Sequence, residues 1–287
     1  MKKRKIDIAV ISDVHLGSYE CHADELLTYL SSIQPKTLIL NGDILDIKRF
    51  GKNYFPTVHM KVLRKIITLS MKGVEVYYIT GNHDDMMRRF AGISLGNLHV
   101  MNKLVLELHG KKALFFHGDI FDFSIRHAKW FIKFGGYGYA LLFMANRTLN
   151  WLLKKRGKDK YSFSKKIKKN SKKSLDYIAH FEKSVVDIAL ENTYDYVICG
   201  HIHQPKKNRH ETDKGSCMYL NSGDWVENLT ALEYSLKRWK VYRYNHDKLS
   251  PFFMDEELKN MNMQDLINSI AIAKSKSQKE DQRPFDS

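Results

Sequence analysis

Cysteine is nearly absent, with three in 287 residues. Cys21, Cys199 and Cys217 are widely spaced and form no CxxC pair, which argues against a disulfide framework and a thiolate zinc site and points to a reducing compartment. Long apolar runs are missing too: no stretch approaches the roughly 18 consecutive apolar residues of a membrane span. The basic start Met1-Lys2-Lys3-Arg4-Lys5 leads into an apolar run that holds Asp7 and stops at Asp13, too short and too charged for the core of a signal peptide. The expectation is a cytoplasmic protein, soluble or peripheral on the inner face of the membrane. Acidic residues are in deficit, 32 Asp and Glu against 47 Lys and Arg, so the surface attracts phosphates, nucleic acid or an acidic membrane face. Charge alone does not choose among these.

What is present is a repeated grammar. Ile6 to Ser12 is a short, β-branched apolar run that ends on Asp13-Val14-His15, as a buried strand does when it delivers polar residues at its tip. Thr37 to Leu40 leads likewise into Asn41-Gly42-Asp43, Val74 to Ile79 into Gly81-Asn82-His83-Asp84, Ala113 to Phe116 into His117-Gly118-Asp119, and Tyr194 to Cys199 into Gly200-His201-Ile202-His203. Helical patterns over 22–33 and 58–71 separate the first strands, as in an α/β sheet. Leu104 to Leu108 and Ala113 to Phe116 flank Gly110 as a hairpin, and Met218 to Leu220, Thr230 to Tyr234 and Arg238 to Tyr244 read as successive antiparallel strands. The fold expected is α/β (α+β), a four-layer αββα sandwich of two mixed sheets flanked by helices, with a helical cap inserted.

That cap is expected over 122–192, dividing a core of 1–121 and 193–250, with 251–287 as a C-terminal helix and mobile polar tail. Its first part is aromatic and apolar (Trp130, Phe131, Tyr139, Leu142, Trp151), and Lys154 to Lys173 is dense in Lys and Arg. The apolar stripe can serve an acyl chain or only pack on the core, and the lysines can hold phosphate or only solvate a helix face.

Each strand-tip cluster alone is weak, since Asp-x-His, Gly-Asp or His-x-His also occurs as turn punctuation. Together and in this order, Asp13-x-His15, Gly42-Asp43-x-x-Asp46, Gly81-Asn82-His83-Asp84, His117-Gly118-Asp119 and Gly200-His201-x-His203 resemble the signature of the calcineurin-like metallophosphoesterases, over about residues 6 to 235. The residue types suit Mn2+, Fe2+ or Zn2+, which favour mixed imidazole and carboxylate ligands. The resemblance implies two divalent cations, Mn2+ foremost with Fe2+ or Zn2+ as alternatives. Asp13, His15, Asp43 and His203 would hold one, and Asp43, Asn82, His117 and His201 the other, with Asp43 bridging. Such a pair activates water for in-line attack on phosphorus without a covalent enzyme intermediate. His83 would then protonate the leaving oxygen or steady the transition-state charge, with Asp46 orienting it; the plainer reading has Asp46 and Asp84 capping turns. Asn221-Ser222-Gly223-Asp224-Trp225 reads as a tight turn, and His22, His59, His99 and His246 as surface or packing residues.

Within the family the chain is most similar to the UDP-2,3-diacylglucosamine diphosphatases of lipid A synthesis, through its length, its cap and the run Asn170-Ser171-Lys172-Lys173-Ser174-Leu175. That resemblance implies a nucleotide-diphospho lipid substrate split to UMP and an acylated sugar 1-phosphate. It makes Asn170 and Lys173 substrate contacts beside Asn82, His83 and His201. Three departures stand out: Lys166 replaces an expected serine, Ile125 stands where an acidic contact belongs, with Asp122 too close to the motif, and His83 replaces an arginine, which places the chain with a histidine-containing paralogous branch. Two rival readings stay open. A nucleotide or nucleic-acid phosphoesterase would use the basic segment, but only Tyr161 and Phe163 interleave it. A non-catalytic scaffold with the same fold would not need all seven ligand positions filled. The oligomeric state is not readable.

Overall fold

The computed structural model describes residues 3–46, 54–121 and 172–247. In chain order the elements are β1 (Arg4–Ile11), α1 (Ala23–Ser32), β2 (Ile33–Asn41), α2 (Thr57–Met71), β3 (Glu75–Ile79), a 3-10 turn (Asp85–Phe90), β4 (Ser94–Leu95), β5 (Leu98–Met101), β6 (Leu104–Leu108), β7 (Lys111–Phe115), α3 (Lys172–Glu191), β8 (Tyr196–Cys199), β9 (Lys206–Thr212), β10 (Gly215–Asn221), β11 (Thr230–Ser235) and β12 (Arg238–Arg243). The α/β expectation holds: two mixed sheets are flanked by helices. One has the order β12-β11-β1-β2-β3-β5-β4 and the other β6-β7-β8-β10-β9.

The side-chain period of two along β1 explains the layering. Ile8 and Val10 point with Ile39 and Ile79 into the interior between the sheets, where they join Phe115, Ile198 and Leu220 of the second sheet. Ala9 and Ile11 point the other way, onto Leu26, Tyr29 and Leu30 of α1 and Val62, Ile66 and Leu69 of α2. Because β1 and β2 are buried on both faces, they read in the sequence as near-continuous apolar runs. Gly73, at φ +86°, ends α2: its N–H donates to the Ser70 carbonyl and that of Val74 to Leu69, closing the helix with a buried Val74–Leu69 pair. His109 and Gly110, both at positive φ, close the β6–β7 hairpin in two residues.

Three strands escape the sequence reading. β9 is mostly exposed and polar, and β4 and β5 are short, so none has an apolar run to announce it. The expected succession of antiparallel strands after Met218 is corrected: β10 runs parallel to β8 in the second sheet, whereas β11 and β12 form a hairpin in the first. The chain crosses between sheets through 222–229. It divides by compactness into Met1–His117 with Ala189–Ser287, and Gly118–Ile188. Within the latter, Phe121 meets Phe181 edge-on at 5.7 Å. Most of the expected cap, Asn170 and the tail helix lie outside the described residues, as does the Lys173 side chain.

Candidate active site

Five strands of the two sheets end at one crevice. Asp13 and His15 follow β1, Asp43 follows β2, Asn82 and His83 follow β3, His117 follows β7, and His201 and His203 follow β8. Strand carboxyl ends are where α/β sheets place their ligands. Asp13, His15, Asp43, His201 and His203 all have left-handed backbone, with φ between 51° and 67°. Non-glycine residues rarely adopt it, and each costs on the order of 1–3 kcal/mol unless its surroundings over-determine it. Here the neighbours do: Asp13 N–H donates to the Gly42 carbonyl, and Val14 and His15 N–H to that of Asp43. Two glycines leave room for the carboxylates themselves. A Cβ on Gly81 would lie 2.2 Å from Asp43 Oδ1, and one on Gly200 would lie 2.5 Å from Asp13 Oδ2.

The side chains converge. His203 Nε2 is 3.2 Å from Asp13 Oδ1, and His117 Nε2 is 3.3 Å from Asp43 Oδ2. Asp46 reaches two rings at once, 3.2 Å from His83 Nδ1 and 3.7 Å from His15 Nδ1. Three sets of donor atoms, Asp13–His15–His203, His15–Asp43–His83 and Asp43–His117–His201, each lie within 4.8 Å of one another. His15 and Asp43 each belong to two sets, so the three form one continuous cluster. Burial would raise the carboxyl of Asp13, but the His203 imidazole beside it overrides that and holds it down at about 2. Burial likewise opposes ionisation of Asp43 and Asp46, yet His117 holds the first, and hydrogen bonds from His15 and His83 the second, well below the usual carboxylate range. The crevice thus carries three ionised carboxylates among imidazoles.

A second layer fixes these groups, and the sequence reading missed much of it. The Asn41 carbonyl accepts from His117 Nδ1 at 2.9 Å, turning Nε2 toward Asp43. Asp84 does not cap an exposed turn. Fully buried, it accepts from Gly81 N–H (2.6 Å), Ile44 N–H (2.9 Å) and the Tyr78 hydroxyl (2.6 Å), tying the loop of Asn82 to the loop of Asp43. Its burial pushes its carboxyl up, with the Asp43 charge adding to the rise. Nor is 221–225 merely a turn. Trp225 N–H donates to the Asp13 carbonyl, the Ser12 and Ser222 hydroxyls lie 2.6 Å apart, and Asn221 Nδ2 donates to the Gly200 carbonyl. Buried Asp224 accepts from the N–H groups of Val226, Glu227 and Asn228 and lies 3.9 Å from His203 Nδ1. His59 is buried and accepts from Gly17 N–H at 2.9 Å, holding the turn after His15.

The calcineurin-like phosphoesterase profile matches residues 6–205. The chain belongs to this family. Among its relatives are the UDP-2,3-diacylglucosamine hydrolases of Histophilus somni (26% identity, 78% of this chain and 94% of that one) and Aliivibrio fischeri (26%, 82% and 98%). A solved archaeal phosphodiesterase covers 82% of this chain and 98% of its own at 13% identity, with a TM-score of 0.39.

Members of the family use divalent metals, and the residues here fit such ions. The donors are the mixed imidazole nitrogens and carboxylate oxygens that Mn2+, Fe2+ and Zn2+ favour. Asp13 Oδ1 is buried and faces the His203 ring at 3.2 Å without a well-formed hydrogen bond, so it keeps lone pairs that a cation would satisfy. As a phosphoesterase of this family, the chain is a hydrolase, and the seven residues expected as ligands all carry side chains able to coordinate. The geometry also admits His83 to one donor set, so position alone does not separate it from the ligands.

Proposed function

We propose that this phosphoesterase hydrolyses the diphosphate of a nucleotide-linked lipid, UDP-2,3-diacylglucosamine, to UMP and the acylated sugar 1-phosphate. The observation that carries the reading is the overlap of the three Asp/His sets at one crevice, in a chain similar over about four-fifths of its length to hydrolases of that substrate. Asp13, His15, Asp43 and His203 would hold one divalent cation, Mn2+ by preference, and Asp43, Asn82, His117 and His201 the second. Bound there, the pair supplies Lewis-acid neutralisation of phosphoryl charge and makes water nucleophilic near neutral pH.

The chain's own residues set the rest. Asp43, within reach of both ligand groups, keeps them in register through its hydrogen bond from His83 N–H at 2.8 Å. Asp46, buried and ionised, faces His83 Nδ1 and accepts from it; when the ring carries a second proton, Nε2 of this partly exposed side chain (31%) can give that proton to a leaving oxygen. Asn170 and Lys173 would add contacts to the diphosphate, and the aromatic cap residues would receive acyl chains. Hydrolysis of such a lipid suits a cytoplasmic enzyme at the inner face of the membrane, and no helix among the described residues is long and apolar enough to cross it.

The test is incubation of Mn2+-loaded protein with UDP-2,3-diacylglucosamine, beside nucleotides and phospholipids, with products identified by mass. UMP release supports the reading. Inertness toward this lipid together with turnover of another ester overturns it.

A further inference from the structure

The chain leaving His83 presents an unusual surface. Met86 (52% exposed), Phe90 (48%), Ile93 (46%) and Leu95 (44%) fall within ten residues, four of the ten exposed large hydrophobics among the described residues. Single exposed apolar side chains are ordinary; a cluster marks an interaction face. This one is built rather than frayed. Met87 N–H donates to the Asp84 carbonyl, Ile93 N–H to Phe90, Gly92 N–H to Val100, and Val100 N–H back to Ile93, all between 2.8 and 3.0 Å. Arg88 and Arg89 lie in the same 3-10 turn, with Asp85 as its only acid.

We propose that this face, from Met86 to Leu95, docks the protein on an anionic lipid bilayer. Its chemistry is that of an interfacial segment, with apolar side chains that can enter the acyl boundary and arginine beside them to meet the phosphates, on a chain of net charge +15. A second copy added through the sheet edge suits it less, because the edge strand β4 is only two residues long. The face and the crevice belong to one rigid construction, since Asp84 stands between His83 and Asp85 and binds the Asp43 loop. A phosphoester anchored by its acyl chains would then meet His83 at the membrane surface. This deepens the lipid reading above and rests on it for its purpose, while docking itself is measured without turnover.

The experiment is co-sedimentation of the full chain with vesicles of phosphatidylethanolamine and phosphatidylglycerol, against phosphatidylcholine alone. The wild type sediments with the anionic vesicles and is released by salt. The double variant Phe90→Ser/Ile93→Ser binds at least about tenfold more weakly. Arg89→Glu binds more weakly with a shallower salt dependence. Both keep the wild-type rate on the soluble diester bis(p-nitrophenyl) phosphate. Unchanged vesicle binding by the double variant overturns the proposal. So does loss of binding only when Lys154 to Lys173 are neutralised, a wild-type dimer that the variant converts to monomer, or a variant whose melting temperature falls as if an internal contact were lost. Vesicle binding without hydrolysis of UDP-2,3-diacylglucosamine keeps the surface and removes the substrate reading; hydrolysis without vesicle binding does the reverse.

Discussion

Gly81→Ala isolates the steric basis of the site. The Gly81 backbone is not left-handed, so alanine meets no conformational penalty there. Its methyl would instead lie 2.2 Å from Asp43 Oδ1 and 2.5 Å from the Asp43 backbone nitrogen, a group that cannot swing aside. Relief requires Asp43 to move, which breaks the His83 N–H to Asp43 Oδ1 hydrogen bond. Overpacking of this kind costs about 1–3 kcal/mol and a hydrogen bond to a charged group about 1.5–3, so a loss of about 3–6 kcal/mol is expected. Gly73→Ala is the matched control. It has positive φ but open space around it, and should cost only about 1–2 kcal/mol. Urea unfolding in chelator gives both stabilities, and elemental analysis after reloading gives bound Mn2+. Gly81→Ala should lose metal and Gly73→Ala should keep it. If the two variants match in stability and both fill with metal, Asp43 is not held where the structure puts it.

His83→Ala should keep its metal while turnover falls by about 10²–10⁴-fold, as for loss of a general acid, whereas Asp43→Asn loses both; equal metal loss in the two, by elemental analysis, would make His83 a ligand. In metal-free protein the Asp13 carboxyl, held at about 2 against 3.8 unfolded, contributes about 2 kcal/mol that is present above pH 3.8 and lost as pH falls through about 2. Asp13→Asn should therefore flatten that acid limb in chelator, and a limb of unchanged steepness would disprove the pairing with His203. Asp224→Ala strands the N–H groups of Val226, Glu227 and Asn228, for a loss of at least about 3 kcal/mol in denaturant unfolding, and removes the support behind His203, weakening metal binding about 10–100-fold by chelator competition. Wild-type affinity in a folded Asp224→Ala would reduce that carboxylate to a turn cap.

The crevice was legible in the sequence because its makers are local: a strand buried on both faces is an uninterrupted apolar run, and the break to Asp, Asn or His marks its tip. Asp84 and Asp224 were not legible, because what defines them is a hydrogen bond to Ile44, 40 residues away, and a position behind His203, neither of which leaves a periodic trace. The switch of sheets between β10 and β11 was hidden for a related reason. Residues 222–229 carry turn residues whatever sheet follows, and the packing of Trp225 on Tyr29, which itself meets Tyr242, favours the first sheet. β9 escaped because an exposed edge strand of Lys, Asn, Arg and His has the composition of a loop.

Five of the seven proposed ligand positions have their unusual torsions held by hydrogen bonds within the polypeptide. The folded backbone thus contributes to aiming the donors at the crevice. Exchange of one divalent ion for another at the proposed site would leave that hydrogen-bonded backbone in place, so the choice of metal would follow supply.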